Sequence, residues 1–269
     1  MISERIYLKE GNDNVWLDTY VPDGVEGFTR KAILVIPGGG YGAVCSEREG
    51  EPIALAFLPY GYCAFVLHYS VGENAKYPDQ LIEASLAMKH IRENADKYNI
   101  DKENVFAVGF SAGGHLAGSL ATFWHRPEIS EVVQGGVNKP TGAMLIYPVV
   151  SGNPEIYHGG SFRNLWNCEQ PTDEQLEYAS LEKHVDQNTA PMFIMHTSND
   201  QLVDVRNSLR LGEALKAAGH TFEMHIYPDA PHGVALGNEI TARGRDYHIN
   251  TAIAKWVEQA AFWADQLSK

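Results

Sequence analysis

The chain has 269 residues, 44% of them hydrophobic and 20% charged, a composition that belongs to a folded globular protein and excludes a disordered or fibrous one. Acidic residues outnumber basic ones 34 to 21, and the net charge of −13 repels phosphate backbones and anionic lipid headgroups, which argues against nucleic-acid and membrane partners. The three cysteines, Cys45, Cys63 and Cys168, cannot all pair and lack metal-ligand spacing, so no disulfide framework and no metal site is expected.

Residues 5–9 and 14–21 alternate polar and apolar side chains and end at Pro22-Asp23-Gly24, which predicts an antiparallel pair closed by turn residues. This start shows none of the basic, apolar and small-residue succession of a signal peptide. Together with reduced thiols, it sets the expectation of a cytoplasmic chain that is not exported. The run 32–36 is continuously apolar, as in a strand covered on both faces, and 50–60 then carries apolar residues at helical spacing. The same alternation follows with strands at 64–67, 105–108 and 143–146 and helices at about 79–98 and 112–125. After a break it resumes with strands at 192–195 and 222–227 and helices at about 204–218 and 246–267. None of the apolar runs approaches the roughly 18 residues of a membrane span. Alternating strands and helices predict right-handed crossovers and a mostly parallel central sheet with helices on both faces, fronted by the antiparallel N-terminal edge strands. The break, 151–189, is rich in Gly, Pro, Asn and aromatics, with one clear helical piece at 172–179. It reads as a small cap insertion in a single domain spanning 1–269.

Chemistry enters at Gly109-Phe110-Ser111-Ala112-Gly113, which matches G-x-S-x-G between a buried strand and a helix rich in small residues. That order suits a nucleophile elbow: flanking glycines leave room for a strained turn, and the helix N-terminus favours developing negative charge at the serine. Serine needs a positioned base, and the base needs a carboxylate to fix its tautomer. Asp200 follows the strand at 192–195 and His232 follows the strand at 222–227, the expected chain order of acid then histidine. Asp204 is the competing acid, but its place before a helix suits capping, and Asp229 suits a turn. Of the eleven histidines, His232 stands in a Pro-His-Gly loop before the final helix, whereas His68, His196 and His225 lie on or at strands, His90 on a helix, and His115 just past the elbow. Pro37-Gly38-Gly39-Gly40-Tyr41 follows the buried strand 32–36 and supplies flexible N–H groups that, with Ala112, would stabilise an oxyanion. A phosphate-binding reading of these glycines lacks both G-x-G-x-x-G and a following Gly-Lys-Ser/Thr.

These blocks, with the continuation Ser46-Glu47-Arg48-Glu49-Gly50-Glu51-Pro52, resemble the α/β-hydrolase superfamily. More narrowly they resemble small bacterial esterases related to acetyl-xylan esterases and to the hormone-sensitive-lipase and prolyl-oligopeptidase-like groups. The resemblance implies an α/β-hydrolase fold with Ser111 as nucleophile, Asp200 as acid, His232 as base, and Gly39, Gly40 and Ala112 as oxyanion donors. Pro37 stands where hormone-sensitive-type members carry histidine, which favours the acetyl-xylan-esterase-like branch and leaves open which glycine N–H faces the oxyanion. That branch implies no cofactor, an acetylated-sugar substrate and a homodimer. Tyr41 beside the glycines and Trp166 in the insertion are the candidate substrate contacts, while Cys45 reads first as a structural cysteine.

The expected activity is therefore a serine carboxylesterase acting on short acyl esters, chiefly acetate on a small ester substrate such as an acetylated xylo-oligosaccharide. A feruloyl esterase is one alternative. A prolyl-oligopeptidase-like peptidase is another; that group usually carries an N-terminal propeller, whereas here about 30 residues precede the first parallel strand. A catalytically dead hydrolase fold acting as a binding module would have lost a triad member, and here all three candidates are present.

Overall fold

A computed structural model describes residues 1–268. Its sheet has eight strands: β1 (Arg5–Lys9), β2 (Asn12–Tyr20), β3 (Arg30–Ile36), β4 (Tyr62–His68), β5 (Ile100–Phe110), β6 (Ala143–Ile146), β7 (Met192–Thr197) and β8 (Phe222–Tyr227). They lie in the order β1-β2-β4-β3-β5-β6-β7-β8. β1 and β2 are antiparallel and β2 joins β4 antiparallel, whereas every pairing from β4 through β8 is parallel. Each expected strand is present: β3 to β7 are largely buried and show as apolar runs, whereas β1 and β2 are half-buried and show as alternation.

The helices are α1 (Ser46–Glu49), α2 (Glu51–Phe57), α3 (Asp79–Glu93), α4 (Ala95–Tyr98), α5 (Ala112–Phe123), α6 (Pro127–Ser130), α7 (Gly159–Trp166), α8 (Asp173–Ala179), α9 (Arg206–Ala217), α10 (Glu239–Ala242) and α11 (Trp256–Leu267). On β3, Ala32, Leu34 and Ile36 join the core under α3, α5 and α9, while Ile33 and Val35 join the core under α2 and α11. Successive side chains of one strand thus serve opposite layers, and burying each Val, Leu or Ile contributes about 1.5–3 kcal/mol. Trp256 anchors the second layer, with its ring edge-on to Phe57 and Phe110 and its indole N–H on the Ala235 carbonyl at 2.9 Å.

Three helix expectations change. The helix expected over 79–98 is interrupted at Asn94, whose side-chain amide and backbone N–H both bond the His90 carbonyl and so end α3. The helix expected from 246 begins only at Trp256, because Asn250 Oδ1 accepts the N–H groups of Ala252 and Ile253 and holds the preceding segment in short 3₁₀ turns. Within 151–189, α7 forms despite its opening Gly159-Gly160. His158 caps it by accepting the Ser161 N–H, and Asn167 closes it in the left-handed region at φ 48°.

α5 also carries a buried polar link within the first layer. His115 Nε2 donates to the Ala179 carbonyl at 2.8 Å, so its Nδ1 is the acceptor for the Tyr41 hydroxyl at 2.8 Å. Burial lowers the His115 pKa to about 4, outweighing the opposing bond to Ala179. An unfolded chain binds that proton near pH 6.5, so between about pH 6.5 and 4 the unfolded state holds more protons than the folded one. The stability this represents, up to roughly 3 kcal/mol, is fully present above pH 6.5 and is lost as pH falls through about 4. Urea midpoints measured across this range should decline with falling pH. The decline should be shallower in His115→Gln, whose amide preserves one donor and one acceptor but does not titrate.

Candidate active site

β5 delivers the chain to Ser111 and α5 departs from it, with Ser111 held at φ 53°, ψ −117°. A non-glycine residue in this region costs about 1–3 kcal/mol and persists only where its surroundings fix it. The surroundings are tight. A Cβ on Gly109 would stand 2.0 Å from the Gly113 carbonyl oxygen, and one on Gly113 would stand 2.2 Å from that of Ile36. The Ser111 N–H donates to Ile146 at 3.0 Å, and its carbonyl accepts from His115 and Val149, each at 3.1 Å.

The Ser111 hydroxyl, on a residue only 8% exposed, lies 2.8 Å from His232 Nε2. His232 Nδ1 lies 2.7 Å from Asp200 Oδ2. The other oxygen of Asp200 accepts the N–H groups of Leu202 at 2.9 Å and Val203 at 3.0 Å. His196 Nε2 donates to the Val203 carbonyl at 3.0 Å and stands 3.4 Å from Asp200 Oδ2. Burial opposes ionisation of Asp200, but the bonds from His196, His232 and Val203 outweigh it and hold the carboxyl well below its usual range. An ionised Asp200 leaves the proton on His232 Nδ1, so Nε2 is free to accept from Ser111.

The competing carboxylates are occupied elsewhere. Asp204 Oδ1 accepts the Arg206 N–H at the start of α9, and Asp229 takes the Asn199 side-chain amide. In the glycine loop, the Gly38 N–H turns away to Glu49 Oε2 at 2.8 Å. Among the described residues, the N–H groups of Gly39, Gly40 and Ala112 have no protein acceptor. Gly39 at φ 130° and Gly40 at φ 62° need glycine's freedom, and a Cβ on Gly39 would meet the Ala43 carbonyl oxygen at 2.1 Å.

The expected contact at Tyr41 is corrected: its side chain is 1% exposed and bonded to His115, so it anchors the loop from beneath and offers no surface to a ligand. Trp166 is half-buried, its ring tilted against those of Tyr77 and Tyr178 at 5.0 and 6.4 Å, so part of its surface is already taken up within the protein. The glycine loop is met instead by α7. Asn164 Nδ2 donates to the Gly40 carbonyl at 2.8 Å, and Ser161 Oγ lies 3.8 Å from where a Gly40 Cβ would stand. His158, bonded to Ser161 Oγ at 2.8 Å, has its pKa lowered by burial first and then by neighbouring His232 and Arg163. No motif announces these three residues; the only signal was the loop's length and aromatic content.

Residues 17–151 match the BD-FAE family, and residues 156–267 match the dienelactone hydrolase family. An acetyl ester-xyloside bifunctional hydrolase from Caldicellulosiruptor lactoaceticus superposes with a TM-score of 0.83 at 31% identity, covering 98% of this chain and 96% of that one. The chain belongs to the α/β-hydrolase superfamily. Within it, this α/β-hydrolase is similar to esterases, an acetylxylan esterase among them. It is 39% identical over 218 residues to endo-1,4-beta-xylanase B of Butyrivibrio fibrisolvens and 28% identical over 224 residues to the acetylxylan esterase of Xylanibacter ruminicola. Those matches cover 78% and 81% of this chain but only 33% and 43% of the two relatives, so the chain spans less than half of either. Among the described residues no helix is long and apolar enough to cross a membrane.

The elbow's packing gives a direct test in this hydrolase. Gly113→Ala places a methyl group against the Ile36 and Pro37 carbonyl oxygens, at 2.2 and 2.4 Å. Overpacking of this kind costs about 1–3 kcal/mol. Denaturant unfolding should show that loss, and fluorophosphonate labelling of Ser111 should slow in the fraction that remains folded.

Proposed function

We propose that the chain is a serine carboxylesterase that removes short acyl groups, chiefly acetate, from carbohydrate esters. The observation that carries the reading is the continuous line from Ser111 to His232 at 2.8 Å and from His232 to Asp200 at 2.7 Å, set beside unused N–H groups of Gly39, Gly40 and Ala112. In the proposed reaction the Ser111 oxygen attacks the ester carbonyl while its proton passes to His232 Nε2. Asp200 holds the imidazolium by its Nδ1–H. The carbonyl oxygen, now an anion, takes hydrogen bonds from the free N–H groups, each worth about 2.7–4 kcal/mol to the transition state. Collapse expels the alcohol with the proton from His232 and leaves an acyl group on Ser111. Water, deprotonated by His232, then releases the acid and returns the proton to Ser111. Each step uses groups that the chain itself supplies.

The sugar alcohol is assigned on two supports. One is that the similar proteins include an acetylxylan esterase and an acetyl ester-xyloside bifunctional hydrolase. The other is the polar rim that α7 sets beside the glycine loop. Because the Ser161 N–H can only donate, His158 Nδ1 is an acceptor, and the proton of its neutral ring sits on Nε2, a donor suited to a sugar hydroxyl.

Acetate release from acetylated xylo-oligosaccharides tests the reading, with a p-nitrophenyl acyl series in parallel and Ser111→Ala as the blank. The expected result is release that vanishes in Ser111→Ala and falls by about 10⁴ in kcat for Asp200→Asn, the order seen when a triad carboxylate is neutralised. Turnover of p-nitrophenyl acetate without oligosaccharide deacetylation would remove the sugar substrate and leave the esterase. Absence of any Ser111-dependent turnover would remove both.

A further inference from the structure

Outside the three residues proposed to carry the reaction, one buried charge touches the loops on either side of them. Glu49 closes α1 just after the glycine loop and is 1% exposed. Its Oε2 accepts the Gly38 N–H at 2.8 Å. Its Oε1 accepts Arg48 Nη2–H at 2.8 Å, Arg48 Nε–H at 3.2 Å and the Tyr147 hydroxyl at 3.1 Å. A buried carboxylate is tolerated when donors surround it in this way.

Each partner leads to a different part of the site. A Cβ on Gly38 would stand 3.1 Å from the Ser111 Cβ, so the peptide that Glu49 grips lies against the nucleophile. The Arg48 guanidinium lies 3.0–3.2 Å from where a Cβ on Gly233 would stand, beside the residue that follows His232. The Tyr147 hydroxyl also accepts the Ala235 N–H at 3.1 Å, and its ring meets His232 edge-on at 4.9 Å. Burial, reinforced by the Glu49 charge, raises the Tyr147 pKa, so the phenol keeps the proton it gives to Glu49.

We propose that Glu49, paired with Arg48, is a positioning residue that locks the oxyanion loop and the His232 loop in register through one carboxylate, with Tyr147 as the arm to His232. The proposal rests on the esterase reading above. The donors must already be in place when the oxyanion forms, and a misplacement of about 1 Å can cost about 10²-fold in rate. Arg48 has a second task. Glu49 Oε2 lies 2.8 Å from the same Gly38 Cβ position that adjoins Ser111, so its negative charge stands near the developing oxyanion unless a cation offsets it.

Kinetics on p-nitrophenyl acetate, with thermal unfolding of each variant, separate positioning from folding. Glu49→Gln should lower kcat by about 10–100-fold with KM within about three-fold, the signature of an interaction felt mainly in the transition state. Tyr147→Phe removes one oxygen and should lower kcat by about ten-fold. Because both changes break the same link, the double variant should lose no more than Glu49→Gln alone. Arg48→Gln leaves the carboxylate uncompensated, so adding Glu49→Gln to it should recover activity, and Arg48→Lys should retain more activity than Arg48→Gln. A folded Glu49→Gln enzyme with kcat within about two-fold of the parent would overturn the proposal, as would losses in Glu49→Gln and Tyr147→Phe that multiply independently. Should Glu49→Gln fail to fold, unchanged kcat in both Tyr147→Phe and Arg48→Lys would overturn it. A parent enzyme without Ser111-dependent turnover would instead bring down the esterase reading, and this proposal with it.

Discussion

The arrangement depends on one backbone conformation, that of Ser111 at φ 53° between β5 and α5. Left to itself the residue would relax into an ordinary region, gaining the roughly 1–3 kcal/mol that the strain costs. Relaxation is blocked by the central strands. The Ser111 N–H is held by Ile146 at the end of β6, and its carbonyl is held by His115 and Val149. The glycines at 109 and 113 permit the approach, because any side chain there would overlap a carbonyl. The strain is therefore maintained by the same parallel pairing and two-sided burial that stabilise the domain, and it leaves the serine oxygen at a helix N-terminus beside an imidazole.

The acid end is held by a different device. Asp200 sits in a short turn after β7, where two backbone N–H groups and two histidines surround its carboxylate. The two histidines differ in kind. His196 is fixed by Ser208 at 2.7 Å and by the Val203 carbonyl, so its tautomer is set and it holds Asp200 from behind. His232 reaches Asp200 from the neighbouring loop and presents its second nitrogen to Ser111. A carboxylate pinned this firmly orients the imidazole through a charge that changes little across neutral pH.

The legibility of the sequence followed the strength of the local constraint. Strands buried on both faces were readable because nothing else produces runs such as Ala32 to Ile36, and Gly109 to Gly113 was readable because the elbow tolerates few residue types. Asp200 was separable from Asp204 and Asp229 by its offset from a strand end, and the structure gives each of the other two a bonded partner of its own. What stayed hidden depended on long-range contacts. Tyr41 was expected to face a ligand because it adjoins the glycine loop, but its positive φ of 59° accompanies a side chain turned into the core toward His115. α7 was obscured by Gly159-Gly160, poor helix formers that succeed because His158 caps them. Glu49 stands in the charged run Glu47-Arg48-Glu49, which by itself assigns it no role. Only folding brings it to Gly38 and, 98 residues away in sequence, to Tyr147.

The central claim is that Ser111 is the nucleophile of an ester hydrolase. Stoichiometric modification with a nitrophenyl phosphate triester tests it most directly. The account predicts that one p-nitrophenolate is released per chain, that the phosphoryl group maps to the peptide carrying Ser111, and that acetate release falls in proportion to labelling. Acetate release that survives full modification, or that persists in Ser111→Ala, would contradict the account.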